Sequence, residues 1–348
     1  MKKSNKKLID GLKRISPGTT IRDGIENIVK AKMGSLLILA DIKKIRKIFS
    51  GGFKINCKTT PAKLYELSKM DGALILNQNG TKIVYANTYL FPDPKISTKE
   101  TGIMHQTAER VAKQIEGMVI AISKNRNMVT IYLDDLKYNL KDIRLVLDEA
   151  NRALETLERY RDDFKEQLNK LNLLEIDEAM TLFDVVSVWQ TAEMAKMVAS
   201  EIERYLYELG TEGILVRIQL SQIMDEIDNE LFYLIRDYIY DENRFEDAIK
   251  KESNLSYDKP VNLNKLAEIL GFSSSYTYLD KIVNPRGFRI LYTVAKLPKH
   301  LIENVIESFK SLKVIKKLGI DELSKAEGIG KVRARTIINS IKRISEQI

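Results

Sequence analysis

The chain has 348 residues, of which 44% are hydrophobic and 30% charged, and its formal net charge is +8. This length predicts two or three domains, and the single cysteine, Cys57, excludes both a disulfide framework and a cysteine-rich zinc site. No apolar run is long enough for a transmembrane helix, and no apolar stretch of signal-peptide type follows the basic N-terminus. We therefore expect a cytoplasmic protein without a membrane partner.

The excess positive charge lies at the C-terminal end. Residues 285–348 contain 14 Lys and Arg but 6 Asp and Glu, so the remaining 42 basic and 42 acidic residues balance. Clustered positive charge is typical of proteins that bind polyanions. A solvated basic surface is the alternative.

Residues 1–138 are expected to form a mixed α/β domain with a mixed central sheet. The Asn79-Gly80 pair lies between two apolar runs, which favours a β-hairpin in which both turn residues have positive φ. A second strand pair is expected around a turn at 124–127. In full, the pattern predicts strands at 35–40, 73–76, 82–86, 118–122 and 128–133, and helices at 62–70 and 107–115.

Residues 139–284 are expected to form an all-α spine. Apolar residues recur every three or four positions from Ile143 to Leu171, which predicts one long amphipathic helix. Further helices are predicted at 182–209 and 219–239. The first part of this region is more acidic than basic, so it favours a spacer or an assembly element over a nucleic-acid surface.

Residues 285–348 are expected to form a small helical module, which makes the whole a multidomain α+β chain. Helices are predicted at 301–312 and from 320, and residues 329–335 are expected to lead into a final helix. The segment 327–335 has the pattern of a helix-hairpin-helix. Glycines permit a tight turn and close approach of a phosphate, which the N–H groups of the next helix would then bind. Such contacts bind DNA independently of sequence. The expected DNA-binding residues are Gly328, Ile329, Gly330, Lys331, Arg333 and Arg335. A weaker partner hairpin is expected at 296–299, and a plain glycine cap between packed helices is the alternative.

Two N-terminal segments suggest a nucleotide site. Asp71-Gly72-Ala73 precedes an apolar strand, and residues 102–110 open a helix that carries His105 and Thr107. A carboxylate at a strand edge can hold a divalent metal, and a helix N-terminus can receive phosphate oxygens. On the residues alone, a turn and a solvated helix face remain open as alternatives.

The segments 70–76, 105–110 and 121–123 resemble the diadenylate cyclase family, and the order of the three regions resembles its DNA-binding members. This resemblance implies condensation of two ATP molecules to cyclic di-AMP and pyrophosphate, with Mg²⁺ or Mn²⁺. It also implies a nucleoid-associated homo-octamer whose activity is lowered by branched DNA such as recombination junctions.

The resemblance also implies roles for individual residues. Asp71 would bind the metal and help to activate the 3′-hydroxyl, and His105 and Thr107 would contact the phosphates as catalytic residues. The other expected nucleotide-binding positions are Gly72, Ala73, Leu90, Ile103, Met104, Gln106 and Ser123.

One departure from the family pattern bears on activity. The family has Gly-Thr-Arg-His-Arg-Thr-Ala-Glu-Arg, whereas this chain has Ile103, Met104 and Gln106 in place of Thr, Arg and Arg. Neither Met nor Gln can replace the bidentate bonds of Arg to phosphate. The alternative function is therefore a weak or inactive DNA-binding scaffold that binds nucleotide without turnover. A repair nuclease subunit is a third hypothesis, disfavoured because the sequence places no nuclease-type carboxylate cluster beside the glycine hairpin.

Overall fold

The computed structural model describes residues 3–124, 128–257, 259–273 and 276–346. It divides into two compact units, the first made of Met1–Asn151 with Glu203–Arg217 and the second of Arg152–Ile202 with Ile218–Ile348. The first unit contains a mixed β-sheet and the second is helical, which confirms the α+β fold class. No helix in the described ranges is long and apolar enough to cross a membrane. The boundaries expected at residues 138 and 284 stay predictions.

The strands of the first unit form one eight-stranded sheet. Their bounds are β1 (Ser35–Ala40), β2 (Phe49–Ser50), β3 (Phe53–Lys58), β4 (Ala73–Asn77), β5 (Lys82–Leu90), β6 (Met118–Ser123), β7 (Met128–Leu133) and β8 (Leu136–Asn139). The order across the sheet is β2-β5-β4-β1-β6-β7-β8, and β3 also pairs with β5. β1 runs parallel to β4 and antiparallel to β6, so the sheet is mixed as expected.

Helices cover both faces of this sheet. They are α1 (Lys3–Ile15), α2 (Thr20–Lys30), α3 (Ile42–Ile45), α4 (Pro61–Leu67) and α5 (Ile103–Ile115). All six residues of β1 are buried because alternate side chains point to opposite faces. Leu37 and Leu39 pack with α1, α2 and α4, whereas Leu36 and Ile38 pack with α5. The apolar run 35–40 is therefore the middle layer of the unit.

The hairpin between β4 and β5 is confirmed, but its turn differs from the expected one. Gly80 has a φ of +69°, and Asn79 is not among the residues with positive φ. The expectation for Asn79 is wrong because four residues rather than two join the strands. Asn77 closes the longer loop, since its carbonyl accepts from the Gly80 N–H at 2.8 Å and its side chain accepts from the Lys82 N–H at 3.0 Å.

The other predicted strands and helices of this unit are confirmed with small shifts of their bounds, and β6 and β7 pair antiparallel. Residues 125–127 of the turn between them lie outside the described residues.

The remaining helices follow in chain order, and α7 has the predicted bounds. The helices are α6 (Ile143–Asp177), α7 (Leu182–Leu209), α8 (Ile214–Tyr238), α9 (Phe245–Ser253), α10 (Leu263–Ile269), α11 (Tyr276–Leu279), α12 (Phe288–Thr293), α13 (Lys299–Phe309), α14 (Leu312–Ile315), α15 (Ile320–Leu323) and α16 (Lys331–Ser345). The apolar stripe from Ile143 thus forms one unbroken helix, about 50 Å long at about 1.5 Å per residue.

A buried carboxylate of α8 caps the start of α12. The Asp237 side chain accepts hydrogen bonds from the backbone N–H groups of Gly287, Phe288 and Arg289 at 2.7, 2.7 and 2.9 Å. These are the donors that a helix leaves unsatisfied at its N-terminus. The Arg289 guanidinium is itself fully buried and lies 2.6 Å from the carboxylate of Glu175 on α6.

The core of the C-terminal helices includes side chains from the long helices. Ile176 of α6 and Tyr233 of α8 belong to the same buried cluster as residues of α12, α13 and α16. The Tyr233 ring stacks on Tyr292 with ring centroids 4.3 Å apart. The last 60 residues therefore share one core with parts of α6 and α8.

Candidate functional site

The ends of three strands meet at one edge of the sheet. Leu36, near the start of β1, pairs with Ala73 at the start of β4, and Ser35 pairs with Ile122 near the end of β6. Asp71 and Gly72 directly precede β4, and Ser123 is the last residue of β6. The topology therefore brings the Asp-Gly-Ala segment and Ser123 to the same edge.

Gly72 is required by the backbone at this edge. Its φ is +92°, and a Cβ atom built on it would lie 2.8 Å from the Thr88 carbonyl oxygen. The Thr88 hydroxyl donates to the Ala73 carbonyl at 2.8 Å, which holds β4 and β5 together at this point. The glycine thus allows close packing of two strands and leaves the neighbouring Asp71 side chain exposed.

The start of α5 lies at the same edge. Residues 116–117 join α5 to β6, and the two elements pack along each other, so they run in opposite directions. Thirteen helical residues and six strand residues both span about 20 Å. The N-terminus of α5 is therefore placed near the end of β6, where Ser123 lies.

This helix N-terminus has no side-chain cap. Gly102 is the N-cap residue and makes no side-chain cap hydrogen bond, and the first turn closes with the Gln106 N–H on the Gly102 carbonyl at 2.8 Å. The N–H groups of the first turn lack partners within the helix, and they carry the positive end of its dipole. The arrangement is suited to an anion.

Several of the expected nucleotide-binding residues share one face of the sheet with α5. Ala73 is buried in the cluster that α5 covers, and Leu90 and Met104 pack against that cluster. Ser123 faces the same side by the alternation of β6, in which Val119 and Ala121 contact α5. Thr107 is half-buried on α5.

Ile103 lies apart from this cluster, since it is 84% exposed at the tip of the helix.

Gln106 makes a contact that the sequence did not predict. Its side-chain amide donates to the Glu100 carbonyl at 2.9 Å, so it holds the segment that precedes α5. Two further residues of α5 anchor the same segment. The Arg110 guanidinium donates to the Ile96 carbonyl at 3.0 Å, and the Glu109 carboxylate accepts from the Thr98 hydroxyl at 2.5 Å. These three side chains order the connection from β5 to α5.

His105 contacts a residue that sequence analysis missed. Its Nδ1 atom lies 2.8 Å from the hydroxyl of Tyr132, which is fully buried on β7. Burial, reinforced by the charge of the Glu100 carboxylate, raises the pKa of the Tyr132 hydroxyl, and Glu100 itself pairs with Lys137 at 2.5 Å. Tyr132 sits in an apolar strand pattern, so nothing in the sequence distinguishes it from an ordinary core residue.

The acidic residues at this edge are few. Among the described residues, no group of three or more His, Cys, Asp or Glu side chains is placed to hold a metal ion. Asp71 supplies one exposed carboxylate. Magnesium commonly takes one or two protein carboxylates, completing its shell with waters and substrate phosphates. The donor set fits a metal that arrives with a nucleotide, and does not fit a metal held by protein alone.

The C-terminal glycine segment forms a tight turn between α15 and α16. Gly328 has a φ of +78°, Ile329 is buried in the core of the C-terminal helices, and Gly330 is the N-cap of α16. Arg333 donates to the Gly328 carbonyl at 2.8 Å, which fixes the turn. Lys331 is exposed and pairs with Asp321 at 3.2 Å.

Arg335 lies on the exposed face of the same helix. The turn thus presents the start of a basic helix.

A second turn of the same form precedes α13. Lys296 has a φ of +51°, Leu297 is buried in the same core, and Pro298 is the N-cap of α13. These positions correspond to Gly328, Ile329 and Gly330. Because proline has no N–H, the second turn offers one backbone donor fewer than the glycine turn.

Two family models match the chain. The nucleotide-binding region of the DisA bacterial checkpoint controllers matches residues 22–136, and the linker region of the same controllers matches residues 140–279. The first match covers the sheet edge and α5, and the second covers α6 to α11. The first region is therefore a nucleotide-binding domain of the diadenylate cyclase type.

Relatives that match over nearly their whole length are also named DisA. The chain is 42% identical to the DNA integrity scanning protein DisA of Acetivibrio thermocellus, over 100% of this chain and 97% of that protein. It is 43% identical to DisA of Clostridium botulinum strain Langeland, over 99% and 97%. It is 44% identical to DisA of Clostridium perfringens strain 13, over 97% and 95%. The chain belongs to the DisA family of DNA integrity scanning proteins.

A solved structure is also similar to part of the chain. DacA from Staphylococcus aureus, as a double cysteine mutant, is 20% identical over 40% of this chain and 90% of its own, with a TM-score of 0.29.

Proposed function

We propose that this protein condenses two ATP molecules into cyclic di-AMP, with release of two pyrophosphates, and that it binds DNA through the glycine turn of its C-terminal helices. The observation that carries the first half is the meeting of the open N-terminus of α5 with Asp71 and Ser123 at one sheet edge. A triphosphate needs donors and a metal-binding carboxylate in close reach, and this edge offers both.

The residues at this edge would have separate roles in binding the nucleotide. The N–H groups at the start of α5, with His105 and Thr107, would hold phosphate oxygens, and Ser123 would bind at the phosphate end. Gly72 and Ala73 would line the nucleotide pocket beside Leu90. In each half-reaction the 3′-oxygen of one ATP forms a bond to the α-phosphorus of the other, the bond to pyrophosphate breaks, and the hydroxyl proton is released. Positioning and charge neutralisation supply most of the catalysis in such a transfer.

A divalent cation would bind at this site together with the nucleotide rather than to the protein alone. Asp71 would hold Mg²⁺ or Mn²⁺ together with phosphate oxygens, and the bound ion would neutralise charge on the triphosphate. With its carboxylate beside the 3′-hydroxyl, Asp71 would favour loss of the hydroxyl proton.

The reaction needs two nucleotides, so two copies of the domain would meet at this edge. Exposed apolar side chains around it support such a contact, namely Tyr89, Phe91 and Ile103, at 55%, 63% and 84% exposure. The proposal includes the homo-octamer and the response to branched DNA that the family resemblance implies.

The decisive experiment follows product formation. Purified protein is incubated with ATP and Mn²⁺ or Mg²⁺, and cyclic di-AMP is measured by mass spectrometry, with Asp71→Asn as the test variant. Asp71→Asn is expected to remove the product while its thermal stability and DNA affinity persist. Asp10→Asn controls for the loss of a carboxylate, since Asp10 is exposed on α1, which packs on the face of the sheet opposite to α5. Full turnover by Asp71→Asn would refute the assigned role.

A scaffold that binds nucleotide without turnover is the second candidate. The observation that favours it is the apolar Met104 at the start of α5, with Gln106 engaged in holding Glu100. Bound ATP without any cyclic product, under conditions where a known diadenylate cyclase is active, would establish it.

A further inference from the structure

Glu193 on α7 is a buried acidic residue with one oxygen that has no hydrogen-bond partner. The residue is 1% exposed. Its Oε1 atom accepts a hydrogen bond from Nε1 of Trp189 at 2.9 Å, whereas Oε2 is buried without a partner among the described residues. A negative charge buried in this way is strongly disfavoured unless a cation compensates it, and a protonated carboxyl costs much less.

The cation beside Glu193 is Lys196, which lies one turn further along α7. Its ammonium group is already bound by two other carboxylates. It pairs with Glu252 on α9 and lies 3.0 Å from Asp228 on α8. Ionisation of Glu193 would therefore give this cluster three negative charges against one positive charge.

The other elements packed around this part of α7 contribute uncharged groups. Tyr257, in the segment after α9, interacts with the cluster, and burial raises the pKa of its hydroxyl, so the phenol stays neutral. The contact with α6 is made by the uncharged Gln167, whose side-chain oxygen accepts from the Thr191 hydroxyl at 2.9 Å. Lys196 is thus the cation that these contacts bring to Glu193, and it is shared.

We propose that Glu193 is a proton-controlled switch in the packing of α9 on α7. The protonated carboxyl is compatible with the arrangement described, in which Lys196 links α7 to α8 and α9. The ionised carboxylate competes for the same ammonium and so loosens the attachment of α9. The switch lies in the region that matches the linker of the DisA controllers, and the inference does not rest on the proposed function.

The direction of the pH effect follows from the change in pKa on folding. Burial raises the pKa of Glu193 from its ordinary 4.5 to about 7, although the charge of Lys196 and the hydrogen bond from Trp189 oppose the rise. The packed state is therefore fully stabilised below pH 4.5 and loses this stability as the pH rises through about 7. With these two values, the fraction of molecules with α9 detached should rise about tenfold between pH 6 and pH 8.

The titration can be followed directly, because Trp189 is the single tryptophan of the chain and its indole donates to Glu193. Tryptophan fluorescence of the full-length protein should change with pH along a curve with its midpoint near 7. Glu193→Gln keeps an acceptor for the indole but cannot ionise, and should abolish the transition. Glu208→Gln, which removes a second buried carboxyl of α7, should leave it unchanged. A wild type without the transition, or the same transition in Glu193→Gln, would overturn the inference.

The sharing of Lys196 is tested by a substitution on α8. Asp228→Asn removes one of the carboxylates that bind the ammonium, so the fluorescence midpoint should move to lower pH. Asp225→Asn is the matched control, since Asp225 is also exposed and lies one turn earlier on the same helix. Equal midpoints in these two variants would overturn the proposed competition.

The loosening of α9 is measured by hydrogen exchange with mass spectrometry. After correction for the intrinsic effect of pH, protection of the amides of residues 245–253 should fall about tenfold from pH 6 to pH 8 in the wild type. It should stay constant in Glu193→Gln. Constant protection in the wild type would overturn the switch even if Glu193 titrates near pH 7. An equal fall in both proteins would assign the effect to another group and would overturn it as well.

Discussion

Gly328 and Gly330 lie two residues apart in one turn but have opposite steric surroundings. Gly328 has a φ of +78°, and a Cβ there would lie 2.5 Å from Cδ2 of Leu301. Gly330 has an ordinary extended backbone with a φ of −82°, and a Cβ there would meet nothing within 4 Å. The backbone therefore favours glycine at 328, whereas the open space around 330 would be available to a ligand.

Gly330→Ala should weaken DNA binding without unfolding the protein. The methyl group fits the free structure but would stand where a phosphate approaches the N–H groups of α16. We expect a loss of about fivefold to tenfold in affinity, equal for different sequences, measured by fluorescence anisotropy at several salt concentrations. Gly319→Ala is the matched control, since Gly319 also caps a helix with an extended backbone. Equal losses in both variants would contradict the assignment.

Gly328→Ala should instead destabilise the C-terminal helices. A left-handed backbone costs a non-glycine residue about 1–2 kcal/mol, and the methyl group would also displace Leu301 from the core. Thermal unfolding followed by circular dichroism should show a lower midpoint than for the wild type. Gly328→Asn tests the cause of the loss, because asparagine tolerates positive φ better than alanine. A Gly328→Ala protein as stable as the wild type would show that the turn relaxes freely.

Glu208 makes the stability of the first unit depend on pH. Burial raises the pKa of this α7 carboxyl from its ordinary 4.5 to about 7, although the charge of Arg22 opposes the rise. A carboxyl with a raised pKa contributes stability that is complete below pH 4.5 and is lost as the pH rises through about 7.

Glu208→Gln should therefore gain stability relative to the wild type between pH 5 and pH 8. The measurement is the unfolding midpoint of both proteins across this range, with Glu203→Gln, an exposed carboxylate of the same helix, as the control. A difference between wild type and Glu208→Gln that does not change with pH would refute the account.

Met104→Arg should strengthen nucleotide binding. Met104 lies at the start of α5 and packs against the same buried cluster as Leu90, and an arginine there would bring a cation to the triphosphate. A hydrogen bond to a charged group contributes about 1.5–3 kcal/mol, so ATP affinity should rise about tenfold or more. Isothermal titration calorimetry measures this directly. Met104→Gln, which is polar but uncharged, should gain little, and an equal gain in both variants would exclude the charge as the cause.

The secondary structure was predicted most accurately where the hydrophobic pattern of the sequence was strongest. The run 35–40 is a strand buried on both faces, and the stripe from Ile143 forms the long helix α6. The strand β3 was missed because it lies at the sheet border with mostly exposed or half-exposed side chains, which leaves a weak alternation. The helix α5 begins at Ile103 with Gly102 as its N-cap, which agrees with the prediction that 102–110 open a helix and lies four residues before the bound of 107 that the apolar pattern gave.

Sequence motifs marked the segments of the candidate site, but they did not predict the contacts that these segments make. Asp71 and Ser123 were marked by motif, and the pairing of β1 with β4 and β6 brings them to one edge. The hydrogen bond between His105 and Tyr132 joins residues 27 positions apart and comes from the packing of α5 on the sheet. No local pattern encodes such a contact.

The cap that Asp237 provides for α12 has a consequence for how this protein can be divided or recombined. The donors of Gly287, Phe288 and Arg289 are satisfied only from α8 among the side chains described, and Ile176 and Tyr233 fill the same core as α16. A fragment starting at Pro285 would expose three unpaired N–H groups and an incomplete core. Exchange of C-terminal helices between relatives would therefore preserve folding only if α6 and α8 were inherited together with them.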